Sequence, residues 1–291
     1  MPMIVYPSAP PVTMPSPAVS LDGWLTATLD TTYAGIVLDV DYTAGTPLAD
    51  AADVRKVRIT RLDPGGVPSV VRSADQAWAV GGVGVAYDHE APLGVAVAYQ
   101  AVPEFADGTT GPTSSVSVAL ADPVAPLDVW IKSIDTPGLS ALVTVTAWPQ
   151  LQWAARVDRA DVTGSRYPGT AQDVYGASTS EISIDAVGDA IETVRELLTT
   201  PGVRLLQTRS DYHRPDQYAV FGDVTEGIQA TPTGGRTFTA GITEVERPDT
   251  AGQPLRMPDW SYDAVAGAYA TYDAVEAAYS SFASLATNGV A

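Results

Sequence analysis

The chain has 291 residues, 45% of them hydrophobic and 17% charged, which is enough apolar material for two folded domains and too much for a disordered chain. Its 34 acidic residues against 16 basic ones give a formal net charge of −18, which argues against binding to nucleic-acid phosphates or to an anionic membrane surface. It contains no cysteine, so disulfides and thiol chemistry are excluded.

Residues 1–19 carry six prolines and no basic residue. Proline removes backbone donors and disfavours helix, so this stretch reads as an extended arm rather than a signal peptide. Two outcomes stay open for it, a disordered tail or an arm lying on a neighbouring subunit. Ile4 and Tyr6 are the side chains that such an arm would bury.

Residues 20–122 read as an all-β domain. Trp24-Leu-Thr-Ala-Thr-Leu29 and Gly35-Ile-Val-Leu-Asp-Val-Asp-Tyr42 alternate with a period of two. Val57-Arg-Ile-Thr-Arg-Leu62 runs into Asp63-Pro-Gly-Gly66, which is turn chemistry, so residues 67–72 return as a hairpin partner. Val95-Ala-Val-Ala-Tyr-Gln-Ala-Val102 and Ser115-Val-Ser-Val-Ala-Leu120 add two more strands. About seven short strands in roughly 100 residues predict a β-sandwich. Residues 121–126, with two prolines, read as a short linker.

Residues 123–248 predict a second β-rich domain with a single packed helix. Strands are expected at Asp128-Val-Trp-Ile-Lys132, Leu142-Val-Thr-Val-Thr146, Glu181-Ile-Ser-Ile184, Val203-Arg-Leu-Leu-Gln207, Tyr218-Ala-Val-Phe221 and Thr237-Phe-Thr-Ala-Gly-Ile242. The helix is expected over residues 187–199, with Val187, Ile191, Val194 and Leu198 on one face, Asp185 as its cap and Pro201-Gly202 as its stop.

Residues 249–291 change character and read as a linker, up to Pro258, followed by short aromatic helical repeats. Ser261-Tyr-Asp-Ala-Val265 returns as Thr271-Tyr-Asp-Ala-Val275 and is echoed by Ser281-Phe-Ala-Ser-Leu285, a period of ten. On one continuous helix the aromatic stripe would drift by about 80° per repeat. The repeat therefore predicts successive short helices capped by Ser261, Thr271 and Ser281. Helices this short are unstable alone and must dock, either on their own chain or on another subunit. Trp260, Tyr262, Tyr269, Tyr272, Tyr279 and Phe282 are the expected assembly contacts, together with Ile4 and Tyr6.

No catalytic motif stands out. His89 and His213 lie in polar loops far apart in sequence and read as solvated. The HExxH, GxSxG and P-loop patterns are missing, and Gly81-Gly-Val-Gly84 reads as a flexible turn. Asp39, Asp41, Asp50 and Asp53 fail the EF-hand pattern at Thr43 and Ala44 and read as strand acids facing solvent. No catalytic residue, metal or cofactor is therefore assigned. The six tryptophans are scattered and read mainly as core, while Trp148 and Trp153, bracketing Pro149, are the candidate glycan contact.

The order of these elements, with Arg166-Tyr-Pro-Gly-Thr-Ala-Gln-Asp-Val174, Ile191-Glu-Thr-Val-Arg-Glu-Leu-Leu198 and Phe238-Thr-Ala-Gly-Ile-Thr-Glu-Val-Glu-Arg-Pro248, resembles minor tail proteins of long-tailed phages that infect actinobacteria. The first domain looks like a fibronectin type III module, and the second is similar to the β-rich domain of distal tail proteins. The aromatic repeat looks like those that end such phage proteins. Simple distal tail proteins begin with the β domain, whereas here a sandwich precedes it. The resemblance implies a mainly β structural protein of the virion tail tip, assembled in the host cytoplasm. It implies a homo-oligomeric ring of three or six copies, with tail tube, tail hub and fibres as partners and no membrane insertion. A carbohydrate-binding module for host-wall glycan is the alternative, and a hydrolase with scattered carboxylates is a third reading.

Overall fold

The computed structural model describes residues 16–147, 150–161, 163–212, 214–229, 234–258 and 260–289. It is mainly β, with 44% of residues in strands and 13% in helices.

The first half is a sandwich of two antiparallel sheets. One sheet has the order β1 (Ala18–Val19), β2 (Leu25–Asp30), β3 (Gly35–Asp41), β7 (Val83–Asp88). The other runs β5 (Val67–Val70), β4 (Val54–Asp63), β8 (Ala96–Phe105), β9 (Ser114–Ala119), with β6 (Ala77–Trp78) also paired to β4. Alternation decides what is inside. Ile36, Leu38 and Val40 of β3 meet Val57 and Ile59 of β4 and Val97, Tyr99 and Ala101 of β8 in one core. Gly35 is dictated by its neighbour, because a Cβ there would overlap the Tyr87 hydroxyl. The last two residues assigned to the N-terminal arm are the strand β1, paired with Ala27 and Thr26 of β2.

The second half is a closed barrel. Strands β10 (Asp128–Ser133), β11 (Ser140–Ala147), β15 (Ser178–Ala186), β16 (Arg204–Gln207), β17 (Gln217–Ile228) and β18 (Arg236–Glu244) follow the order β11-β10-β16-β17-β18-β15. β15 then returns to β11, with Thr144 opposite Asp185 and Val145 opposite Ile184. Closure of the six antiparallel strands removes the open edges that would invite aggregation. Val129, Ile131, Val143, Val145, Ile182, Ile184, Leu206, Phe238 and Ile242 fill the interior.

Helix α1 (Ala190–Thr199) lies against β11, β15, β17 and β18 and adds Val194, Leu197 and Leu198 to the same core. It is shorter than the span 187–199 expected from sequence. Gly188 has φ 60° and holds the chain out of the helix, so Val187 is exposed and Asp185 is a residue of β15 rather than a cap. The C-terminal end of α1 is tied by Arg204 of β16, which is 1% exposed and sends Nε to Leu197 O at 3.2 Å and Nη2 to Thr200 O at 2.6 Å. These are carbonyls that a helix end leaves without an intrahelical donor, and a guanidinium satisfies them with the favourable sign for the dipole.

Between β11 and β15 the chain makes an excursion. β12 (Gln152–Trp153) pairs with the edge of β15. β13 (Val157–Ala160) and β14 (Gly169–Gln172) then form a separate two-stranded hairpin in which every strand residue is exposed.

After the barrel, the chain crosses back onto the sandwich. Leu255 and Met257 pack on Val37, Val85 and Tyr87, the outer face of the first sheet. Residues 249–258 are thus a strap on the body, where the sequence reads as a linker. Helices α2 (Tyr262–Ala268), α3 (Tyr272–Ala278) and α4 (Phe282–Ala286) follow, with α4 touching β7. Ser261, Thr271 and Ser281 accept from the amides of Ala264, Ala274 and Ser284. None of the described helices is long and apolar enough to cross a membrane.

Candidate functional site

Where the two domains meet, β10 and β16 are buried on both faces. Ile131 and Leu206 point into the barrel, so by alternation Trp130 and Lys132, opposite Gln207 and Leu205, point the other way and meet the sandwich. Trp130 belongs to the sandwich core. Lys132 is 0% exposed and donates from Nζ to the carbonyl oxygens of Ala34 at 2.7 Å and His89 at 2.9 Å. Gln207 donates from Nε2 to Ala91 O at 3.0 Å and to Asp216 Oδ2 at 2.6 Å.

A charged cluster surrounds these contacts. Glu90 of the sandwich receives Arg72 Nη2 at 3.0 Å, and from the barrel side Arg247 Nη2 at 2.8 Å and Tyr218 OH at 2.9 Å. Arg72 also holds the strap, through Pro248 O at 3.1 Å and Asp249 O at 3.0 Å. Burial alone would raise the Glu90 carboxyl, but Arg247 and Arg72 reverse this and hold it at about 2. Alongside, Asp88 takes Arg61 Nη1 and Tyr99 OH, both at 2.8 Å, while Arg61 Nε also binds Asp63 at 2.6 Å. Burial depresses Lys132 to about 7 despite the nearby Asp216, Asp88 and Glu90.

An open groove between the domains is lined by Pro92, Arg209, Asp216, Tyr218 and Arg247. Its arginines are engaged, Arg247 with Glu90 and Arg209 with Asp211 at 3.1 Å. Arg209 also binds Pro123 O at 2.8 Å, and Ser210 binds Asp122, so the linker 121–126 is pinned to the barrel. Chemically the junction is a weld. The Arg247–Glu90 pair and the hydrogen bonds of Lys132 and Gln207 cross the boundary and fix one domain on the other.

The residues singled out from sequence are distributed differently. Ile4, Tyr6, Trp148 and His213 lie outside the described residues. Trp153 is 53% exposed on β12, beside an open trough formed with Gln152, Thr179, Ser180 and Glu181. Trp78 is also exposed, so of the described tryptophans only Trp24 and Trp130 are fully core residues. His89 is not solvated. It is buried against Tyr87 at a ring separation of 5.9 Å, and burial lowers it to about 4, so it stays neutral near pH 7. Asp39 does not face open solvent either; it is half-buried on the face of Val37, and burial with the charge of Asp41 raises it to about 6. Among the described residues no three acids or histidines converge as a metal site.

The aromatic repeat divides into two rows. Tyr269 and Tyr279 pack edge to face at 5.8 Å, and Trp260 joins them at 6.1 Å from Tyr279 with Nε1 donating to Leu285 O at 2.6 Å. Tyr262, Tyr272 and Phe282, the outer row, are exposed and are not covered by their own chain. Sequence reasoning missed Lys132, Glu90, Gln207, Tyr218 and Arg247. The signal was present only in β10, where a lysine ends an otherwise apolar run. Neither a protein-family model nor a curated protein matches the chain.

Proposed function

We propose that this chain is a non-enzymatic structural component of a phage tail. It forms part of the tail-tip ring or baseplate that joins the tail tube to distal components, with a fibronectin type III-like sandwich and a distal-tail-like barrel as its two halves. One observation carries the reading. A body whose two domains are joined by the Arg247–Glu90 pair and by hydrogen bonds from the buried Lys132 and Gln207 bears an appendage with no core of its own. An isolated two-stranded hairpin is marginal in water, and β13–β14 exposes every strand residue. Such a ribbon gains order against a neighbour, while the weld keeps the body from flexing under load.

In this reading the hairpin reaches an adjacent copy in a ring of three or six, assembled in the host cytoplasm. Tail tube, tail hub and fibres are its further neighbours in the virion. The net charge of −18 suits a passage that DNA crosses without adhering.

The test is the native mass of the full chain over a concentration series, beside a variant in which residues 157–172 are replaced by a short Gly-Ser link. The expected result is a closed ring for the full chain and a smaller species for the variant, with equal melting temperatures. A full chain that stays monomeric throughout the series removes the ring.

A further inference from the structure

The outer aromatic row is left largely uncovered by its own chain. Tyr262, Tyr272 and Phe282 are 75%, 80% and 80% exposed, and each is the first residue of its helix. Their placement is nonetheless fixed. The residue before each is the helix cap, bonded back to its own helix, and the hydroxyls of Tyr262 and Tyr272 lie 3.2 Å apart. Large exposed aromatics at the same position of three successive capped helices make a contact surface rather than incidental exposure.

Charge narrows the occupant. Residues 260–289 contain Asp263, Asp273 and Glu276 and no Lys, Arg or His. An anionic polymer is repelled, as is an anionic lipid surface. A second copy of the same array would bring these carboxylates together, so self-docking is disfavoured. Charge leaves neutral and cationic ligands, and aromatic faces repeated at one helix position with a hydrogen-bond acceptor beside each tyrosine favour an uncharged ligand with an apolar face, polar edges and a repeat of its own. Asp263 and Asp273 each follow an aromatic in an exposed first turn and are free to accept hydrogen bonds. We infer that the outer row is a docking track for a linear neutral polysaccharide, its sugar rings stacked on Tyr262, Tyr272 and Phe282 and its hydroxyls donating to Asp263 and Asp273. This site is separate from Trp153 and does not depend on the ring.

The test is electrophoresis of the full chain in native gels containing hydroxyethyl cellulose, laminarin or arabinogalactan, with polygalacturonate as the anionic control. Retardation is expected in at least one neutral gel and not in polygalacturonate. Each of Tyr262→Ser, Tyr272→Ser and Phe282→Ser should weaken it about fivefold, the scale of one aromatic contact, and the triple variant should abolish it without changing the melting temperature. If the triple variant fails to fold, the three single variants decide. Migration unaffected by every neutral polymer overturns the proposal, as does equal retardation by polygalacturonate or full retention in the folded variants. A triple variant that instead loses native mass identifies the row as a contact between copies, which also overturns it.

Discussion

Arg247, from the strand end of the barrel, places Nη2 2.8 Å from Oε2 of Glu90, a sandwich carboxylate whose side chain has no exposed surface. Arg247→Ala leaves the buried Glu90 with Arg72 as its remaining cation, so the loss should fall below that of a fully stranded buried charge, at about 1–3 kcal/mol. The pair also sets an acid limb. Glu90 is depressed from its ordinary 4.5 to about 2, so its stabilisation is complete above pH 4.5 and is lost as pH falls from there through 2. Urea midpoints measured from pH 2 to 7 should show this limb in the wild type and a shallower one in Glu90→Gln. Parallel curves would contradict the assignment.

Lys132 works in the opposite sense. Its ammonium is depressed from 10.5 to about 7, so above pH 7 the unfolded chain holds a proton that the folded chain releases. Stability then rises with pH through that window, by at most about 1.4 kcal/mol per unit. The groups facing it are Asp88 and Glu90 of the sandwich and Asp216 of the barrel, with Arg61 as the opposing cation. Lys132→Met keeps the stem in place and removes the titration. The stability difference between wild type and variant should climb from pH 7 to 9.5, below the range where the buried tyrosines titrate. A flat difference would show that Lys132 stays protonated in the fold.

These groups explain what the sequence conceals. Period-two alternation made β2, β8 and β18 readable, because each has one face in a core and a more open face opposite it. β10 and β16 are buried on both faces, and for such strands polarity records a contact with another domain rather than exposure. Lys132 and Gln207 thus look like solvent-facing residues until the sandwich is set against them. Barrel closure was equally hidden, since the pairing of Val145 with Ile184 spans a long insertion and leaves no local mark. The capped repeat was fully legible because Ser261, Thr271 and Ser281 act within their own turns. Which of its aromatics face outward depends on how the helices pack together, and that is not written in any one repeat.

Arg204 predicts a local failure. It satisfies Leu197 O and Thr200 O from inside the barrel end. Arg204→Met retains bulk but leaves both carbonyls without that donor, and should cost about 2–4 kcal/mol. Arg204→Lys should fall between, because an ammonium cannot reproduce the planar fork. Amide exchange should quicken first over residues 194–200, ahead of the barrel strands. Uniform acceleration across the barrel would mean that the cap is not a local device.

The strap and the repeat separate by truncation. A chain ending at residue 258 keeps Leu255 and Met257 on Val37, Val85 and Tyr87 and removes only the helical array. In that array most residues are exposed or half-buried, and Thr287 is the buried one among those described. Such a chain should remain folded, with unchanged near-ultraviolet signal from Trp24 and Trp130 and a small loss of stability. A chain ending at residue 250 also strips the two apolar side chains from the sheet face. Uncovering them should cost a further ~1–3 kcal/mol, read as a lower urea midpoint, and the bared patch should bind a hydrophobic dye. If the shorter chain is as stable as the longer one, the strap is passive. If ending at 258 already unfolds the sandwich, the array is part of the core of the chain and its outer row cannot be treated as a free surface.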